Sequence, residues 1–180
     1  MFDFIIIGGG IAGASAAYEL AAKSSVLLVE RESHCGYHTT GRSAALFSET
    51  YGNAAIRALT RASRSMYEVP PEGFAQNELL SARSVLYIAR DDQRDGIAAM
   101  SDILGSSGKT SPVMTPADIC RRVSIIRPDY VACGLLDESS RDIDVHALHQ
   151  GYLKGARARG ASIATSADVL ALKRTSTGPL

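Results

Sequence analysis

The opening stretch FDFIIIGGGIAGASAAYEL limits what this chain can fold into more than any other. Phe2 to Ile7 is a short apolar run of the kind found in a fully buried parallel strand. Gly8, Gly10 and Gly13 follow at the spacing G-x-G-x-x-G, and Ala14 to Lys23 is an alanine-rich segment with high helix propensity. Strand, glycine turn and helix in that order predict a phosphate-binding turn. The first glycine permits a tight exit from the strand, and the second removes a side chain where backbone approaches a pyrophosphate. The third lets the helix pack closely, with its N-terminal N–H groups and dipole toward the phosphates. Val26 to Val29 predicts a second buried strand ending at Glu30, where an acidic residue holds an adenosine ribose hydroxyl. The charge of Glu30 also disfavours a 2′-phosphate. The alternative is a flexible glycine run followed by a surface glutamate, and dinucleotide binding explains more of the pattern.

The chain has 180 residues, enough for a domain with its own core, and 46% apolar with 21% charged residues describes a globular protein. Nineteen basic side chains balance nineteen acidic ones, so neither nucleic acid nor an anionic membrane surface is implied as a partner. Cys35, Cys120 and Cys133 form no C-x-x-C pair and no convincing disulfide set, which suits a reducing compartment. Met1 leads straight into the first strand without a basic leader, and no apolar run approaches the roughly 18 residues of a membrane span. The expected location is cytoplasmic, with peripheral membrane association left open.

A polar loop follows Glu30, and Asn53 to Tyr67 predicts a helix with Ile56, Leu59, Ser63 and Met66 on one stripe, stopped by Pro70 and Pro71. Residues 84–90 predict a strand, Asp91 an N-cap, and Gln93 to Leu104 a helix. Thr115 predicts the cap of another helix, with Pro116 in its first turn and Asp118 completing a capping box. Residues 131–139 predict a strand. Asp144 predicts the cap of a helix closed by Gly160. Two short strands over 161–166 and 168–174, then a tail over 175–180, complete the reading. The expected organisation is an α/β Rossmann-like cofactor domain in two segments, 1–75 and 141–180, with part of an α+β substrate domain at 76–140. An unfinished sheet at the end suggests the N-terminal part of a larger enzyme.

The runs GGGIAGASAAYELA, VLLVERE, GYHTTGRSAA and DIDVHALHQGYLKGAR together resemble the FAD-dependent D-amino-acid oxidase superfamily. The nearest group is the D-arginine dehydrogenase type, with glycine and sarcosine oxidases as wider relatives. The resemblance implies non-covalently bound FAD in a glutathione-reductase-type fold. It implies that Gly8, Gly10, Ile11, Ala12 and Gly13 meet the pyrophosphate, with Glu30 and Arg31 at the adenosine end. It further implies that Thr39, Thr40, Gly41, Arg42, Ser43, Ala44, Ala45 and Leu46 wrap the flavin side. Val169 falls where the family holds adenine through backbone groups, and Tyr51 where it places a substrate-contacting tyrosine. Hydroxyls, a fork-shaped donor and small residues in TTGRSAA suit that task.

The implied reaction is oxidation of a C–N bond in an amino acid or amine, with oxygen or a quinone as electron acceptor. Catalytic residues belong to a half of such enzymes that this chain does not match. The sequence departs from the D-arginine type at Leu46, where those enzymes have histidine, and at Val85, where they have a glutamate suited to a guanidinium. A less polar amino acid or another amine therefore fits better. His146 and His149, one helical turn apart, lack a third ligand, so no metal is expected, and His38 reads as a loop residue. Other readings are an NAD-linked oxidoreductase or another FAD enzyme, such as a glycerol-phosphate dehydrogenase type, with TTGRSAA speaking against plain nicotinamide use, and an inactive truncated fragment.

Overall fold

The structure, a computed structural model, describes residues 1–106, 108 and 111–173. In chain order its elements are β1 (Phe4–Ile7), α1 (Ile11–Leu20), β2 (Val26–Val29), β3 (Leu46–Phe47) and α2 (Ala54–Glu68). There follow β4 (Leu80–Ala82), β5 (Val85–Ala89), α3 (Arg94–Ser106), β6 (Val113–Met114) and α4 (Pro116–Arg122). Last come β7 (Cys133–Asp137), β8 (Arg141–Ile143), α5 (Val145–Ala158) and β9 (Ser162–Ala164). The chain is thus mixed α/β, and it divides into two compact units: residues 1–45, 69–79 and 144 onward, and residues 46–68 with 80–143.

In the first unit β1, β2 and β9 form a parallel sheet in the order β1-β2-β9. Helices α1 and α5 pack against each other, and two glycines one turn apart on α5 make space along that helix. A Cβ on Gly155 would collide with the Tyr18 ring of α1 and one on Gly151 with the Phe74 ring, so glycine at 155 lets α5 approach α1 and glycine at 151 makes room for Phe74. Tyr18, Phe74 and Tyr152 meet edge to face at 5.1–5.8 Å, and the Arg159 guanidinium lies 3.5 Å above the Tyr18 ring centre. Asp144 caps α5 through a 2.8 Å bond from the Ala147 N–H, as its sequence position predicts. Gly160 follows the helix with φ +92°, the left-handed conformation of a terminating glycine.

The second unit contains an antiparallel sheet β5-β7-β6 and a smaller antiparallel sheet β3-β8-β4. Ile97 and Leu104 of α3 bury against Ala89, Cys133 and Leu135. Ile119 of α4 is wholly buried, and Thr115 and Asp118 form the predicted capping box with Pro116 in the first turn. Buried Asp137 is satisfied by the hydroxyls of Ser139 and Ser140 at 2.6 and 2.9 Å.

Four expectations need correction. The run at Phe2–Ile7 is not fully buried: Phe4, Ile5 and Ile7 are exposed, because β1 pairs with β2 alone among the described strands. Helix α1 starts at Ile11 rather than Ala14, since Gly10 already serves as its N-cap. Asp91 opens a short 3₁₀ turn capped by Arg90, and α3 begins after it. Residues 168–173 form no strand; Ser166 takes φ +53°, and the N–H groups of Ser166 and Ala167 donate to Glu32 and Glu30 carbonyls, turning the chain back across the end of β2. Lys173 is the last described residue of that stretch, and Arg174 with the 175–180 tail lies outside the described residues.

Candidate cofactor site

The glycine turn is built from backbone. Gly8 adopts φ +101°, open to glycine but strained for other residues, and its N–H donates to the Val29 carbonyl at 2.8 Å. A Cβ on Gly13 would collide with the Gly8 carbonyl, so the first turn of α1 can close on the strand only with glycine there. Gly10 caps α1 in an extended conformation and offers no side chain to the helix start. Thr40, from the TTGRSAA loop, supplies that acceptor instead: its Oγ1 takes the Ile11 N–H at 2.9 Å.

Gly9, between the first two motif glycines, is held on all sides. Its N–H donates to Glu30 Oε2 at 2.7 Å, and its carbonyl lies 2.8 Å from His149 Nε2. A Cβ at this position would collide with the Cys35 sulfur. Glu30 is only 8% exposed, and its other oxygen accepts the Glu32 N–H at 3.0 Å. Burial pushes its carboxyl upward, but the N–H groups of Glu32, Gly9 and Arg31 outweigh burial and hold it below the usual glutamate value. Each carboxylate oxygen has two lone pairs, so Glu30 keeps acceptor capacity for a further hydroxyl.

An open cleft of about 350 Å³ lies over this turn. Among the expected cofactor residues, the structure brings Gly8, Gly10, Glu30, Arg31, Thr39, Thr40 and Val169 to its wall. Ile11, Ala12 and Gly13 stand behind it in the first turn of α1. Gly41, Arg42, Ser43 and Ala44 are exposed beyond the cleft; Thr40–Arg42 form a 3₁₀ turn, Arg42 lies 5.6 Å from the Tyr37 ring centre, and Ser43 Oγ accepts the Ala45 N–H. The turn is roomy where a pyrophosphate needs room and crowded where a Cβ would otherwise fit, which suits a dinucleotide such as FAD.

Leu46 and Tyr51 belong to the second unit. There they line a groove of about 370 Å³ with Phe47, Ile56, Leu59, Tyr67 and Ile143 and the hydroxyl residues Ser48, Thr60 and Ser63; among the described residues its lining includes no charged one. Tyr51 is 72% exposed. Burial raises the Tyr67 phenol above its ordinary value. Ile56 and Leu59 of the expected α2 stripe face this groove instead of a core.

Several wall residues escaped the sequence reading. Gly36 and Tyr37 line the cleft, as do His38, Ala167 and Asp168. His38 Nε2 sits 2.8 Å from Glu32 Oε1. Cys35 lies beside the turn with its thiol pushed up by burial and by the Glu30 charge, in keeping with a thiol that is no nucleophile. His149 does not join His146 in a metal pair: it is 3% exposed and committed to the Gly9 carbonyl, while His146 is exposed. A usable signal existed, because His149 shares the buried stripe of α5 with Leu153 and Ala156, and a polar group there must have a partner.

A parallel strand, a G-x-G-x-x-G turn capping a helix, and a buried glutamate closing the next strand define a dinucleotide-binding unit of Rossmann type. The chain belongs to the FAD dependent oxidoreductase (DAO) family, whose model matches residues 3–179. It is 24% identical to the sarcosine oxidase β subunit of Rhizobium meliloti (strain 1021) over 180 residues, 96% of this chain and 43% of that protein. Glycine oxidase from Bacillus cereus ATCC 14579 superposes with TM-score 0.76 at 19% identity, over 98% of this chain and 49% of that one. L-α-Glycerophosphate oxidase from Mycoplasma pneumoniae, solved with FAD bound, also superposes with TM-score 0.76, at 17% identity over 94% and 46%. The chain spans under half the length of each of these relatives.

Proposed function

We propose that this chain is the FAD-binding part of an oxidoreductase that oxidises the C–N bond of an amino acid or amine. The observation that carries this reading is the meeting of the glycine turn, Glu30, the Thr39–Thr40 loop and Val169 around one open cleft. The N–H groups at the start of α1 hold the pyrophosphate, Glu30 accepts a ribose hydroxyl, and Arg31 lies at the adenosine end. Val169 backbone groups hold adenine, and the loop from Thr39 to Leu46 covers the flavin side. Binding is non-covalent; the engagement of His38 with Glu32 supports this. When bound, FAD supplies a two-electron acceptor. In this reading residues 1–75 and 141–180 serve the cofactor and 76–140 the substrate, although by contact residues 46–68 group with 80–143.

The substrate amine is neutral when its α-carbon gives up hydride, leaving an imine that water hydrolyses to a 2-oxo acid and ammonia. Oxygen or a quinone takes up the electrons. Tyr51 contacts the substrate, and the uncharged groove it shares with Leu46, Ile56 and Leu59 supports an apolar side chain over a cationic one. Val85 is consistent with that, because it supplies no anion for a guanidinium.

The test is the visible absorption spectrum of the purified chain, with chemical identification of any released chromophore. Bound FAD, or uptake of added FAD with quenching of its fluorescence, is expected. A colourless chain that takes up no FAD overturns the cofactor assignment.

A further inference from the structure

His149 lies in the run DIDVHALHQGYLKGAR but outside the residues expected to contact the cofactor. Its Nε2 lies 2.8 Å from the Gly9 carbonyl in a buried setting, and a carbonyl only accepts, so Nε2 carries the proton and donates. The ring is also wedged against the cofactor loop: Gly36 sits at φ +82°, and a Cβ there would stand 2.9 Å from the ring. One side chain of α5 thus touches both the glycine turn and the loop after Glu30.

The Gly9–Gly10 peptide is planar and trans, so its carbonyl and its N–H point in opposite directions. By drawing the Gly9 carbonyl toward α5, His149 turns the Gly10 N–H away from α5. Gly10 lines the cleft, whereas Gly9 does not. Glycine has no side chain to resist a flip of this peptide, and a flip would present a carbonyl where an anion is to bind. We propose that His149 is a positioning residue that locks this peptide in the anion-accepting orientation, acting together with the Glu30 bond to the Gly9 N–H. The proposal rests on the FAD reading above.

The test measures affinity of the full chain for FAD, ADP and adenosine in wild type, H149L and H149Q. H149L removes the donor, and H149Q restores an N–H near the same place without the ring. The expected result is about tenfold weaker FAD and ADP binding in H149L, the scale of one well-placed hydrogen bond, with adenosine unchanged and most of the loss recovered in H149Q. Equal weakening of adenosine and ADP, or equal loss in H149L and H149Q, assigns His149 to packing alone and overturns the proposal. Unchanged ADP binding in H149L overturns it while leaving the FAD reading intact. Failure of the wild-type chain to bind FAD or ADP removes both. H149N, too short to reach the Gly9 carbonyl, replaces H149L should that variant not fold.

Discussion

At Gly9, in the unit built on β1, α1 and α5, one residue has its N–H, its carbonyl and its Cα each occupied by a different distant segment. In the other unit, Ile56 and Leu59 of α2 and Tyr51 just before it border a groove whose lining includes no charged residue among those described. The first region gains its chemistry from backbone groups whose direction is set by long-range bonds. The second gains it from the side chains themselves, displayed on a helix that needs only local order, with Asn53 accepting the Ile56 N–H and Arg64 bridging Glu49 and Glu68. A polar turn of this kind tolerates almost no change, because every neighbour is matched to a missing Cβ or a fixed amide. An uncharged groove of this kind tolerates exchange of its exposed lining, because exposed side chains owe little to their surroundings.

The largest effect that would break this contrast is expected at Gly13. Gly13→Ala forces its Cβ into the Gly8 carbonyl and is expected to destabilise the chain by about 4 kcal/mol and abolish FAD uptake, read by thermal unfolding and flavin fluorescence. A stable, FAD-binding G13A protein would show that the turn is softer than its packing indicates.

Glu30→Gln keeps the shape but removes the charge from two N–H contacts, and a loss of about 2 kcal/mol is expected near neutral pH. The pH dependence has a definite sign. Because the folded value is depressed, the Glu30 contribution is fully present above the unfolded carboxyl value and disappears as pH falls through the lower folded value. Urea titrations over that window should show wild type approaching E30Q, and a constant gap between them would deny Glu30 this role.

Thr40→Val removes the acceptor for the Ile11 N–H, with an expected cost of about 1 kcal/mol and weaker FAD binding. Leu59→Ser in the groove is expected to shift stability by less than about 0.5 kcal/mol, since Leu59 is 65% exposed. A loss in L59S comparable to that in E30Q would place the groove in a core and erase the contrast.

Much of the local structure in both regions was legible from residue order. The glycine spacing, the strand ending at Glu30, and the caps at Thr115 and Asp144 are local signals, and each sits where sequence spacing places it. What escaped depended on partners far away in the chain. His149 reaches Gly9 across 140 residues, and its spacing from His146 carried no sign of that partner. The apolar run after 168 carried a strand-like pattern, yet the bonds from Ser166 and Ala167 to the carbonyls beyond β2 bent it across the sheet end.

By itself the sequence determined that a parallel strand, a glycine turn and a helix would open the chain, because glycine and alanine preferences act within a few residues. It also determined the family, through motifs that survive at low overall identity. Only the tertiary structure decided which groups hold the turn and which side chains wall the cleft. Those contacts join segments whose separation in the chain carries no record of their meeting in space, and their strength arises only when folding has removed water from between them.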